Sequence, residues 1–209
     1  MVQCYLASMS TIVPNHSFES FASLTGAGRL RRPAPQPNRW AIMTFNIVPI
    51  SEQHIEGYCA AVDSVAREGK YLAFLEGPAL EMSREFVLGN LREGHPHFVA
   101  LVDGGVVGWC DIGSLHRPVF SHAGVLGMGV LASHRSQGIG KALIQAALEK
   151  ARNIGLTRVE LTVREENIRA KALYEKFGFV VKGLHRNAVK IGENYENHLS
   201  MAVLFQEPA

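Results

Sequence analysis

Residues 127–148, Gly-Met-Gly-Val-Leu-Ala-Ser-His-Arg-Ser-Gln-Gly-Ile-Gly-Lys-Ala-Leu-Ile-Gln-Ala-Ala-Leu, constrain the fold more than any other part of this chain. They read as a buried strand, a glycine-bearing turn (Arg135-Ser136-Gln137-Gly138-Ile139-Gly140-Lys141), and a helix with one apolar face. The first amides of a helix have no intrahelical acceptor and carry partial positive charge. Glycines at such a start let an anion approach the backbone, a geometry suited to phosphate or pyrophosphate. Arg135 and Lys141 add positive charge at either end of the turn. The stretch either binds an anion or is a tight turn of the same outward form.

The flanking sequence supplies the rest of a mixed fold. Thr44–Ile50 reads as a strand, and Ser51 as the N-cap of a helix from Glu52 to about Arg67, with Ile55, Tyr58, Cys59, Val62 and Val65 near helical spacing. Gly77-Pro78 leads to a second helix, about Leu80 to Arg92, closed by Gly94. His97–Val102 and Val106–Ile112 flank Asp103-Gly104-Gly105, a hairpin signal. A strand over His122–Leu131 and a helix over Gly138–Asn153 follow, then an alternating strand at Arg158–Val163 and a short helix over Asn167–Phe177. Phe179–Gly183 and Tyr195–Leu204 read as the last two strands. This order predicts an α+β sheet with helices on both faces, not a doubly wound nucleotide fold.

With 209 residues, 47% of them hydrophobic, the chain can bury one substantial core. Residues 1–42 differ: they are rich in Ser, Pro, Gly and Arg, have Glu19 as their sole acid and keep no period of 2 or 3.6. They read as a disordered or loosely attached extension ahead of a domain over 43–205. An inert extension, a transit-like peptide for an organelle and a docking tail all stay open for them. A net charge of +2 is too little to argue for a nucleic-acid partner, so none is expected. Cys4, Cys59 and Cys110 form no C-x-x-C pair, which fits a reducing, cytoplasmic setting better than disulfides or zinc. No apolar run approaches the ~18 residues of a membrane span. His95-Pro96-His97 lacks a companion ligand cluster, so no metal is expected.

Known phosphate motifs fail at the turn. A P-loop needs Gly at position 135 and Ser or Thr at 142, where Arg and Ala stand; the dinucleotide fingerprint meets Leu143 at its third glycine. What does fit is R-x-x-G-x-G, Arg135 to Gly140. This resembles the acyl-coenzyme A signature of the GNAT N-acetyltransferases. Asn167-Ile168-Arg169-Ala170-Lys171-Ala172-Leu173-Tyr174-Glu175-Lys176-Phe177-Gly178-Phe179 is similar to that family's N-x-x-A-x-x-x-Y-x-x-x-G-F segment, and Glu160–Val163 to its intervening strand. The resemblance covers roughly Thr44 to Leu204.

The resemblance implies a mostly antiparallel sheet of about six or seven strands, flanked by helices, with a splayed central pair. It further implies acetyl-CoA as co-substrate. Met128, Gly129 and Val130 would bond the pantetheine arm, and the N–H near Met128 would polarise the thioester carbonyl. The turn, opened by Arg135 and Ser136, would hold the pyrophosphate on the amides of Gln137, Gly138, Ile139, Gly140 and Lys141. Asn167 would hold the pantetheine or the loop beneath it, and Tyr174 would protonate the leaving thiolate.

The last role also follows from chemistry, because a phenol with a pKa of about 10 stays protonated at neutral pH and can donate as charge grows on sulfur. The acceptor amine must lose a proton first, since an alkyl ammonium has a pKa of about 10.4. Glu160 is a candidate base, with Asp111 and His122 comparable. The C-terminal stretch is similar to members acting on amino acids, small amines or peptide N-termini. It brings in Arg186 for a substrate carboxylate and Asn197 where those members often have Asp; by position in such enzymes, Glu68, Lys70 and Tyr71 border the acceptor pocket. The expected activity is direct acetyl transfer to a primary amine in a ternary complex, with a homodimer left open. A non-catalytic acyl-CoA-binding or sensor module is the alternative.

Overall fold

The computed structural model describes residues 44–115 and 117–205, so the reading of residues 1–42 lies outside the described part. The elements in chain order are β1 (Asn46–Pro49), α1 (Ile55–Ala66), α2 (Leu80–Glu93), β2 (His97–Val102), β3 (Gly105–Ser114) and β4 (Ala123–Val130), then α3 (Ile139–Asn153), β5 (Arg158–Arg164), α4 (Ile168–Glu175), β6 (Val180–Ile191) and β7 (Asn194–Leu204). They build one seven-stranded sheet in the order β1-β2-β3-β4-β5-β7-β6. All neighbours are antiparallel except β4 and β5. That parallel pair needs a crossover connection, and α3 provides it.

Both faces of the sheet are covered, and side-chain alternation along the central strands sorts the two cores. On one face Cys110, Ile112, Leu126, Leu161 and Met201 pack with Leu143, Ile144 and Ala147 of α3 and Tyr174 of α4. On the other, Val99 and Trp109 pack with Ile55, Tyr58, Val62 and Val65 of α1 and Val87 of α2. The successive residues Val107, Gly108, Trp109 and Cys110 are all buried, as a strand between two helical layers requires. In α3 the buried set Ile139, Leu143, Ile144, Ala147, Leu148 and Ala151 forms a single stripe at helical spacing.

β6 departs from the sequence reading. It runs to Ile191, well beyond the expected end at Gly183, and closes a long hairpin with β7 at the pair Ile191↔Asn194. Its pairing slips between His185 and Val189, where Asn187 adopts a positive φ of 50°. Most of β6 is exposed, so no apolar alternation marked it as a strand. Pairing to β7, a non-local contact, makes it one. No helix among the described residues is long and apolar enough to cross a membrane.

Candidate active site

The site forms where β4 and β5 part. Their ladder holds for Ala123↔Arg158, Gly124↔Val159 and Val125↔Glu160, and then stops. β4 continues against β3 as far as Gly108↔Val130, while β5 continues against β7 as far as Arg164↔His198. Beyond Val125 the edge of β4 that faces β5 therefore has no strand partner among the described residues. The N–H of Leu131 donates to the carbonyl of Val107 at 2.9 Å, which fixes the alternation of the β3–β4 ladder. Gly127 and Gly129 turn their backbone groups to β3, so the N–H and C=O of Leu126 and Met128 point into the gap. The carbonyl of Val130 points the same way and accepts from Nε of Arg135 at 2.9 Å. An edge of this kind, two strands wide and open on one side, suits an extended polar chain laid along it as a further strand.

Directly after β4 the chain makes the glycine turn. Gly138 is the N-cap of α3 with φ 87°, a left-handed conformation that Gly adopts without penalty, and Ser136 precedes it at φ 67°. Gly140 is needed for a different reason. A Cβ there would come within 3.3 Å of Leu173, so its bareness lets α3 lie close to α4. Ser136, Gln137, Gly138 and Lys141 are exposed. The Ser136 hydroxyl meets Arg169 of α4, and Nε2 of Gln137 donates to the Ser133 carbonyl at 3.2 Å. The amides at the start of α3 thus open on solvent beside Lys141 and Arg169, the electrostatic setting of an anion site.

Arg135 is engaged elsewhere. Its guanidinium forms a two-pronged pair with the Glu68 carboxylate, with Nη1 to Oε2 at 2.8 Å, and stacks 4.7 Å from the centre of the Tyr71 ring. Across the gap, at the end of β5, Arg164 makes the matching tie. It is 5% exposed and donates to the carbonyls of Gly69 (3.0 Å) and Leu72 (3.1 Å) and to the Glu196 carboxylate (2.9 Å). The segment after α1 is consequently tied to the ends of both parted strands. Sequence reasoning passed over Arg164; its signal was its place in the same alternating set as Arg158, Glu160 and Thr162, whose side chains lie on the α1 face. Nε of Arg164 is buried without a partner.

The other sequence candidates fall into place around this frame. Asn167 caps α4, its Oδ1 accepting from the Ala170 N–H at 3.1 Å. Tyr174 lies two turns further on, buried on the α3–α4 side of the sheet against Phe179. Burial, and then the neighbouring Cys110, push its phenol above the ordinary range, so it stays protonated. Glu160 lies where β4 and β5 are still paired, and its carboxylate accepts from Arg158 Nη2 at 3.0 Å and Nε at 3.2 Å. Asn197 bridges two backbone segments, accepting from the Asn187 N–H (2.9 Å) and donating to Glu165 (2.8 Å). Arg186 and Lys70 are exposed, and His122 sits just ahead of β4, six residues and ~20 Å of strand from Met128.

On the α1 face two side chains of β3 lie over two β4 glycines, and the larger fills the space its glycine leaves. A Cβ on Gly129 would fall 2.3 Å from the Trp109 indole, and one on Gly127 would fall 3.4 Å from both Asp111 oxygens. Asp111 pairs with Gly127 on one side and with His97 on the other. Burial alone pushes its carboxyl up to about 7. His97 is held down to about 3 by burial, with Nδ1 against Asn90 at 3.1 Å and the Tyr58 ring 5.0 Å away. No group of His, Cys, Asp and Glu among the described residues is placed to hold a metal ion.

Comparison with known proteins agrees with this geometry. The family described as Acetyltransferase (GNAT) family matches residues 58–179, more than half of the chain. L-amino acid N-acetyltransferase AaaT of Escherichia coli (strain K12) is 35% identical over 104 residues, 49% of this chain and 64% of that protein. N-alpha-acetyltransferase RimI of Mycobacterium tuberculosis is 37% identical over 104 residues, 49% of this chain and 63% of that one. The matched segment thus spans just under two thirds of either relative. The structure of yncA from Salmonella typhimurium with its cofactor acetyl-CoA superposes with a TM-score of 0.75 at 15% identity, covering 79% of this chain and 96% of that one, a likeness of fold.

Proposed function

The chain belongs to the GNAT acetyltransferase family, and from that premise we propose that it moves an acetyl group from acetyl-CoA to a primary amine by direct attack in a ternary complex. The observation that carries this reading is the open edge of β4 beyond Val125, which leads into the exposed amides at the start of α3. A long polar cofactor with a pyrophosphate at one end and a thioester at the other matches an edge and a helix start in that order. Bound there, acetyl-CoA would supply an acyl group already activated as a thioester.

The residues divide the remaining work. The start of α3, with Lys141, holds the pyrophosphate, and Met128 directs an N–H into the gap to polarise the thioester carbonyl. Tyr174 holds its proton until sulfur becomes basic enough to take it. Arg135 acts by pinning Glu68 and Tyr71 beside the strand end. The acceptor belongs to the class of amino acids, small amines and peptide N-termini, as the names of the two relatives suggest. The thiols of Cys59 and Cys110 are free, which suits a reducing compartment such as the cytoplasm.

The test is thiol release from acetyl-CoA with a panel of amino acids, polyamines and N-terminal peptides. We expect release that depends on the amine. Tyr174→Phe should lower kcat at least about tenfold, within the range for removing a general acid, while the Kd for CoA stays within twofold. CoA binding with no amine-dependent release would overturn the enzyme reading. An unchanged kcat in the variant would remove Tyr174 as the acid.

A further inference from the structure

We propose that Asp111 takes the proton from the attacking amine, an inference that rests on the acetyl-transfer reading above. Three observations converge on it. The carboxylate lies over Gly127, in contact distance of where its side chain would start, beside Met128, whose N–H points into the gap. It has no hydrogen-bond or ion-pair partner among the described residues, yet it is half-buried rather than sealed. It also stands on the α1 face, whereas Tyr174 stands on the α3–α4 face. Acid and base therefore reach the parted strands from opposite sides, so that one can serve the amine and the other the departing thiol without meeting.

The groups facing Asp111 leave it as the natural acceptor. From β2 comes His97, opposite it in register, too deeply buried to ionise near neutrality. From α1 comes Tyr58, whose phenol is pushed well up by burial and then by the Asp111 charge itself. Its chain neighbour Cys110 points to the other face, and burial, with Asp111 second, raises that thiol far above the usual range. β4 presents only Gly127. None of these competes for a proton at pH 7, where Asp111, raised to about 7 by burial, is half ionised. A base near the working pH combines a useful ionised fraction with real proton affinity. Glu160 is neutralised by Arg158, and His198 lies across the gap, opposite Arg164.

In one turnover Asp111 accepts one proton from the substrate ammonium, leaving a neutral amine. The amine nitrogen forms the C–N bond to the thioester carbonyl carbon, the C–S bond breaks with its electron pair going to sulfur, and Tyr174 gives sulfur a proton. The nitrogen's surplus proton and the one on Asp111 leave the site, and Tyr174 takes one back, so each turnover releases one proton.

The experiment compares full-length wild type, Asp111→Asn, Asp111→Glu, Glu160→Gln and His198→Gln, with kcat/KM for the best amine measured from pH 5.5 to 9.5. Wild type should show a limb rising through about pH 7, and with an alkyl amine as acceptor it stands apart from the amine's own ionisation at about 10.4. Asp111→Asn should lower kcat/KM at least about 100-fold at pH 7.5 and abolish that limb, with the Kd for CoA within twofold. Asp111→Glu should recover part of the rate, and the other two variants should stay within threefold of wild type. Carbon NMR of labelled aspartate should show one carboxyl titrating near pH 7 that is missing in Asp111→Asn, whatever the activity. An Asp111→Asn enzyme that keeps its rate and limb, an Asp111 carboxyl that titrates near 4, or loss of the limb in His198→Gln would each overturn the proposal. A wild type that binds CoA but acetylates no amine would instead overturn the acetyl-transfer reading, and this proposal with it.

Discussion

Asp111 and His97 face each other across β2 and β3, and burial moves their pKa values in opposite directions, so their effects on stability should oppose each other. Unfolded, Asp111 ionises near 3.8; folded, it holds its proton up to about 7. Between those values the unfolded chain loses a proton that the folded chain keeps, so stability falls as pH rises through the window. His97 works the other way. The folded imidazole stays neutral down to about 3, while the unfolded one protonates below 6.5, so stability falls as pH drops from 6.5. At ~1.36 kcal/mol per pKa unit the ceilings are about 4 kcal/mol for Asp111 and about 5 kcal/mol for His97. Wild type should therefore be nearly flat between pH 4.5 and 6.5 where these two groups are concerned. Asp111→Asn should unmask the His97 slope: equal to wild type near pH 4 and more stable by up to about 4 kcal/mol at pH 8. Urea unfolding at half-unit pH steps measures this, and differences between variants cancel every other titration. A difference that stays constant from pH 4 to pH 8 would refute the burial argument.

Two further perturbations probe the frame. Removing the counter-charge should cost more than removing the buried cation: Glu196→Ala leaves Arg164 charged at 5% exposure and should lose about 3 kcal/mol, whereas Arg164→Met also removes an orphaned Nε and should lose about 1–2 kcal/mol. Thermal melts would show the order as about 6–12 °C against about 2–8 °C, and the reverse order would show that desolvation of Arg164 does not govern. Gly129→Ala should cost about 2–3 kcal/mol, because its Cβ meets a rigid indole at 2.3 Å. The double variant with Trp109→Leu should recover part of that loss in denaturant melts, and purely additive losses would refute the clash.

Which parts of the molecule were legible in the sequence follows from how local their causes are. α3 announced itself through a 3.6-residue stripe and the glycine turn, both written into consecutive residues. The β2–β3 hairpin did so through Asp103-Gly104-Gly105, where Asp103 and Gly104 take positive φ of 49° and 80°. The far half of β6 was hidden, because its residues are exposed and its strand character comes from pairing with β7. The same rule holds at the site. Tyr174 and Asn167 could be placed because they share one short helix with its cap. Arg135 looked like a phosphate ligand from its spacing to Gly138, yet it pairs with Glu68, 67 residues away, a contact no local pattern encodes.

The non-local contacts are also the ones that make the parted strands usable. A gap in a sheet exposes unpaired backbone, and left alone it would close or collapse, because such groups seek partners. Here the strands are held apart from both ends. Below, α3 must leave β4 and return to β5 with its apolar stripe buried, which fixes the spacing where the ladder is intact. Above, Arg135 and Arg164 clamp one segment, Glu68 to Leu72, to the ends of the two strands, so closing the gap would break at least four charge-assisted hydrogen bonds. Charge-assisted bonds are shorter and stronger than neutral ones, and closure would exchange them for a few backbone pairs. The opening in β4–β5 is thus a property of the native fold before any cofactor arrives. The segment that holds it open is also the wall of the face on which Asp111 waits.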